Sequence, residues 1–221
     1  MTFKKLGLVH TSATLVPVFQ KLCAENLQGI EVFNIVDDSL IKDVIAQGEL
    51  TPQIAKRVVG IVFLAAQAGA DYILVTCSSI GVAVETAATL IGVPVLRVDQ
   101  PMADLGIQTG KKIGVVATLS TTLEPTSDLV KRRAIALGKE VEITSKLCYG
   151  AFEALMSGDS ASHDTIVSKA IKSLALEVDV ILLAQASMAR VVDNLAEEDK
   201  VVPIISSPPE AIKYLANQVN G

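Results

Sequence analysis

Tryptophan is absent from this sequence of 221 residues, and aromatic residues make up only 4% of it. Half of the chain is apolar, so its core is built from Ala, Val, Ile and Leu, a composition that suits a parallel sheet covered on both faces by helices. Histidine is scarce too: His10 and His163 are too few for a His-based metal site. The three cysteines, Cys23, Cys77 and Cys148, are odd in number and widely spaced. They form neither a metal-spacing pair nor a disulfide framework, which points to a reducing, cytoplasmic location. There is no basic run and no Lys/Arg patch interleaved with aromatics, and the net charge is -5. Nucleic acid is thereby excluded as the main partner. Long apolar runs are also missing. Residues 58–70 are the most apolar stretch, yet they contain Gln67 and Gly69 and stop at Asp71. That is short of the roughly 20 apolar residues a membrane span needs. The chain enters a strand-like run at Lys5 with no apolar h-region before it, so no signal peptide is expected. No glycine-rich loop suited to cradling phosphates is found, and no nucleotide or other cofactor is expected.

What the sequence does contain is itself, twice. Lys5-Leu6-Gly7-Leu8-Val9-His10-Thr11 returns 107 positions later as Lys112-Ile113-Gly114-Val115-Val116-Ala117-Thr118. Asp71-Tyr72-Ile73-Leu74-Val75 returns at an offset of 108 as Asp179-Val180-Ile181-Leu182-Leu183, and Val93-Pro94-Val95-Leu96 at 109 as Val202-Pro203-Ile204-Ile205. Ordered matches at nearly one offset indicate a duplicated unit.

Within the first copy, strands are predicted over 6–9, 31–35, 73–76 and 93–98, and helices over 16–25, 52–68 and 81–90. Thr51 reads as an N-cap with Pro52 at the first helical position. The expected fold is α/β: two similar halves, each a four-stranded parallel sheet flanked by helices, related by a pseudo-twofold with the active site between them. The expected division is 1–98 for the first half, with 206–221 packing back on it, and 99–205 for the second. Helices over 101–108 and 208–218 follow the last strand of each copy.

Ligands of open α/β sheets sit at the carboxyl ends of the strands. That rule nominates the loops 10–14, 76–81, 118–122 and 184–188. Cys77, in Thr76-Cys77-Ser78-Ser79, stands where a strand ends and a helix begins. There a helix dipole and free amides lower a thiol's pKa and suit a carboxylate or enolate. The plain alternative is a small buried cysteine followed by a serine cap. Thr11, Ser12, Thr118, Ser120 and Thr121 are hydroxyls in duplicate loops; they read as carboxylate-binding groups or as ordinary helix caps. His10 reads as a solvated loop residue, a substrate contact or an auxiliary acid. His163 is expected on the surface, and Cys23 and Cys148 in packing roles. A hydrolase built on Ser79 lacks the first glycine of G-x-S-x-G.

A duplicated α/β half with Thr-Cys-Ser-Ser after its third strand resembles the aspartate/glutamate/hydantoin racemase superfamily, over essentially the whole chain. The resemblance implies a cofactor-independent isomerase acting on a small carboxylate substrate, with one cysteine per half as acid and base, and a homo-oligomer. It places Cys77 at the first cysteine position, with Thr76, Ser78 and Ser79 beside it. The second position departs from the pattern. Ala184-Gln185-Ala186-Ser187-Met188 replaces a Gly-Cys-Ala-Gly-Met-type run, and the repeat offset of 108 independently sets Gln185 against Cys77. His10-Thr11-Ser12 likewise replaces an Asp-Ser-Gly or Asn-Pro-Asn run. Gln185, Ala186 and Ser187 are therefore expected to bind substrate without moving a proton. The alternatives are a single-cysteine decarboxylase or lyase of the same superfamily, or a non-catalytic carboxylate-binding protein.

Overall fold

The aliphatic runs of the first copy become strands β1 (Lys5–His10), β2 (Glu31–Val36), β3 (Tyr72–Val75) and β4 (Val95–Arg97), in a computed structural model that describes residues 3–220. All pair in parallel, in the order β2-β1-β3-β4. Because β1 and β3 are central, nearly every residue in them is buried on both faces. The helices are α1 (Val16–Asn26), α2 (Ser39–Gln47), α3 (Pro52–Gln67) and α4 (Gly81–Leu90). Thr51 caps α3 by accepting from the Ile54 amide, with Pro52 in the first turn, as the sequence indicates. No element was assigned to 36–50 on sequence grounds; α2 lies there, burying Leu40 and Val44 at a spacing of one turn.

The second copy repeats this plan with β5 (Lys112–Ala117), β6 (Glu142–Leu147), β7 (Val180–Leu183) and β8 (Ile204–Ser206), in the order β6-β5-β7-β8. Its helices are α5 (Gln100–Thr109), α6 (Ser120–Ala136), α7 (Ala151–Met156), α8 (Ser160–Leu174) and α9 (Ala189–Asp193). The last helix is α10 (Ser207–Asn220). Two four-stranded parallel sheets flanked by helices are thus what the duplication encodes.

The chain divides into two compact units, one running to Gln100 and resuming at Pro208, the other Pro101–Ser207. In the first, Ala211, Ile212 and Leu215 of α10 join Leu6, Leu8, Phe19, Leu74 and Leu96 in one buried cluster. In the second, Met102, Ala103 and Ile107 of α5 pack with Ile113, Val115, Val180 and Leu182.

The copies agree down to single hydrogen bonds. The Asp71 carboxylate accepts from the Lys4 and Lys5 amides, and the Asp179 carboxylate accepts from those of Lys111 and Lys112. Gly114 is closely packed: a Cβ there would lie 2.5 Å from Leu174 Cδ2, which would have to move. Among the described residues, no helix is long and apolar enough to cross a membrane.

Candidate active site

Cys77 follows β3 directly, and a 3-10 turn over Ser78–Ile80 leads from it into α4. Its backbone is extended (φ -130°, ψ 118°), which aims the turn's amides back toward the side chain. Four groups bond to Sγ: the Thr11 hydroxyl, the backbone N–H groups of Ser79 and Ile80, and the Ser79 hydroxyl. Thr11 arrives from the end of β1, Cys77 from β3, and the parallel pairing of those strands brings them together. Burial nonetheless outweighs these four bonds and pushes the Cys77 thiol above its ordinary value. The expectation of a depressed pKa is corrected accordingly: the amides and hydroxyls are in place, but the sulfur is too enclosed for them to prevail. Cys77 itself keeps partial exposure, whereas Cys23 and Cys148 are buried and both thiols are pushed up to about 11. Both are inert packing residues, as their sequence contexts suggest.

The remaining nominated residues sort by what they touch. Thr76 is buried, bonded to His10 Nδ1 at 2.8 Å and to the Val9 carbonyl at 3.2 Å. Ser78 and Ser79 are buried in the turn. Ser12 bonds to the Thr14 hydroxyl and accepts weakly from the Thr14 amide, so its observed role is the capping one.

His10 is not a solvated loop residue. It is fully buried, with Nδ1 on Thr76 and Nε2 3.0 Å from Asn34 Oδ1. The Asn34 carbonyl oxygen only accepts, so the neutral ring carries its proton on Nε2, and the one Thr76 hydroxyl proton is shared between His10 Nδ1 and the Val9 carbonyl. Burial holds its pKa below the ordinary value, partly offset by the Asn34 bond. The ring therefore braces Thr76, the residue before Cys77. His163 is buried as well and not at the surface, with Nδ1 on Asp164 at 2.7 Å and no partner for Nε2 among the described residues.

In the second unit Gln185 has the extended conformation of Cys77 (φ -132°, ψ 137°) and precedes a matching turn, Ala186–Met188. Its Oε1 accepts from both the amide and the hydroxyl of Thr118, as Thr11 serves Cys77. Ala186 and Ser187 are half-buried in that turn, and Ser120 is exposed at the start of α6. Thr121 Oγ1 is buried without a partner among the described residues, and no side chain caps α6. Its first amides and this hydroxyl are suited to an anionic oxygen.

Sequence reasoning missed Arg97. It ends β4, is only 2% exposed, and is held by Asp99 through Nε and one terminal nitrogen and by Glu85 through the other. An arginine in an aliphatic strand with an aspartate two residues on was the available signal. Among the described residues, no group of three or more His, Cys, Asp or Glu side chains is arranged to hold a metal ion.

The fold is shared with solved racemase structures. A glutamate racemase isoform from Bacillus anthracis superposes with a TM-score of 0.73 at 18% identity, covering 98% of this chain and 82% of that one. An aspartate racemase from Picrophilus torridus gives 0.71 at 15%, covering 98% and 94%. An allantoin racemase from Klebsiella pneumoniae gives 0.69 at 16%, covering 98% and 88%. No curated protein matches by sequence. The Asp/Glu/hydantoin racemase family model matches residues 5–215, nearly the whole chain. With its duplicated sheets and its Thr-Cys-Ser-Ser turn, this chain belongs to the Asp/Glu/hydantoin racemase family.

Proposed function

We propose that the protein is a cofactor-independent isomerase of the racemase type in which Cys77 moves a proton at the carbon alpha to the carboxylate of a small acid. The observation that carries this reading is the convergence of two amides and two hydroxyls on the Cys77 sulfur at the end of β3. In the thiolate form the sulfur takes the alpha proton, and the C–H electron pair moves into the carboxylate to give an enediolate. Returning the proton to the same position only exchanges it; returning it to another carbon of the delocalised anion completes an isomerisation, and either step restores the thiolate. The enediolate's oxygens need hydrogen-bond donors.

Gln185 supports a one-sided version of this chemistry. A carboxamide neither gives nor takes a proton near neutral pH, and its oxygen is committed to Thr118. The second copy therefore offers no thiol to match Cys77. In deuterated water, Cys77 acting alone should exchange the alpha proton for deuterium with retention of configuration, and inversion would require a second carrier. Comparable exchange of both faces overturns the single-carrier reading.

Cys77→Ala should reduce turnover by about 10²- to 10⁴-fold, the usual worth of a positioned acid/base, with the fold intact. Retention of a tenth of the activity removes Cys77 as the proton carrier. A second reading is favoured by the raised thiol pKa, because a resting thiol is poised to donate. In a decarboxylase the C–CO2 bond breaks, CO2 leaves, and the electron pair stays as an enediolate that the Cys77 S–H protonates. CO2 release from a malonate-type diacid, without alpha-proton exchange on monoacids, selects that reading.

A further inference from the structure

The duplication supplies an internal control for the Cys77 turn. Gln185 stands where the first unit has Cys77, Ala189 where it has Gly81, and Ser206 where it has Arg97. The strand register makes the last match secure, since Arg97 pairs with Val75 just as Ser206 pairs with Leu183. The second unit still forms its 3-10 turn, Ala186–Met188, and α9 after it. An arginine and a glycine are therefore not needed to build such a turn. They accompany the thiol.

In the first unit the two residues are in intimate contact. A Cβ on Gly81 would overlap Cζ, Nε and one terminal nitrogen of Arg97, so only glycine fits over this guanidinium. Glycine in a helix costs roughly 0.5–1 kcal/mol relative to alanine, a cost tolerated here for the close approach. The guanidinium is itself immobilised. Asp99, fully buried, holds Nε and one terminal nitrogen at 2.8 Å each, and Glu85, one turn along α4 from Gly81, holds the other. The start of α4 is thus fixed at two points, by contact at Gly81 and by an ion pair at Glu85. Ser79 and Ile80, whose amides donate to Cys77 Sγ, immediately precede Gly81. No flexible residue intervenes to absorb a shift of the helix start.

We propose that Arg97 is a positioning residue for Cys77: its guanidinium is the seat on which Gly81 rests, and that seat aligns the Ser79 and Ile80 amides on the sulfur. The role rests on Cys77 being the proton carrier, yet it is tested without turnover.

The test is the pH dependence of iodoacetamide capture at Cys77, read by peptide mass spectrometry alongside Tm. Gly81→Ala, which lifts the helix off its seat, should raise the capture midpoint by about one pH unit, the order of effect expected for losing hydrogen bonds to the thiolate. Arg97→Lys keeps the charge but not the plate and should shift it in the same direction. Glu85→Gln removes the charge of a partly exposed carboxylate but keeps an accepting oxygen, leaves Asp99 paired, and should give a smaller upward shift with Tm near wild type. It decides the matter if Gly81→Ala does not fold. Midpoints unchanged while Tm falls would overturn the proposal and leave Arg97 a purely structural residue. Failure of the Cys77 reading looks different: turnover persists in Cys77→Ala whatever the capture midpoints show.

Discussion

Cys77 and His10 sit two strands' reach apart in sequence and one hydrogen-bond chain apart in space. Thr76 links them, holding the imidazole with its hydroxyl while its own chain continues into the thiol. The low pKa of His10 makes that link sensitive to acid. Unfolded, the ring titrates near 6.5; folded, it stays neutral to lower pH because burial opposes the charge. Below pH 6.5 the unfolded chain therefore binds the extra proton, and stability falls until the folded value is passed. His10→Asn should abolish that component. Urea midpoints compared at pH 7.5 and 5.5 should drop more for wild type than for the variant, and equal drops would refute the assignment. At this scale Cys77 was legible because its own neighbours, Thr76, Ser78 and Ser79, announce a strand end. The burial of His10 was not, because its partners Asn34 and Thr76 lie 24 and 66 residues away. Arg97 was hidden for the same reason in part. Asp99 was adjacent in the sequence, but the glycine beneath the guanidinium belongs to another element.

Elements were more legible than their attachments. The long helix α3 announced both its cap and its proline, while α2, only nine residues long, offered two buried apolar positions and was passed over. The Asp71 and Asp179 carboxylates illustrate an attachment that repeat comparison flags and hydropathy does not. Each receives two amides at the start of a central strand, fixing where pairing begins. The bonds from Lys112 and Lys111 hold the Asp179 carboxyl below its ordinary 3.8. Its contribution to stability is therefore complete above that pH and disappears as pH falls through the folded value. Asp179→Asn keeps an accepting oxygen and loses only the charge. The variant should be less stable than wild type at pH 7 and should converge on it in acid. A gap that persists unchanged to pH 2 would mean that the charge is irrelevant to the clamp.

For the molecule as a whole, the duplication was the most readable feature, because matched strands at one offset imply matched sheets before any contact is known. The first unit is discontinuous, resuming at Pro208, where the sequence reading has 206–221 packing back on the first half. Its core includes Ala211, Ile212 and Leu215, all fully buried, and burying a side chain the size of Ile212 or Leu215 contributes roughly 1.5–3 kcal/mol. Removing the chain from Pro208 onward should therefore unfold the first unit while sparing the second. Cys23 and Cys148 report the two separately: iodoacetamide should capture Cys23 in the truncated protein and leave Cys148 protected. Protection of both would show that α10 is dispensable.

The return of α10 also fixes a timetable. A ribosome delivers residues in order, and most chains fold their leading portion first. Here the leading portion must wait, exposing Leu6, Leu8 and Leu74 until the final helix is released, while the contiguous 101–207 already has every residue it needs. Of the two units, the one that carries the thiol is therefore the later to be finished, because its buried cluster lacks Ala211, Ile212 and Leu215 until α10 has been made.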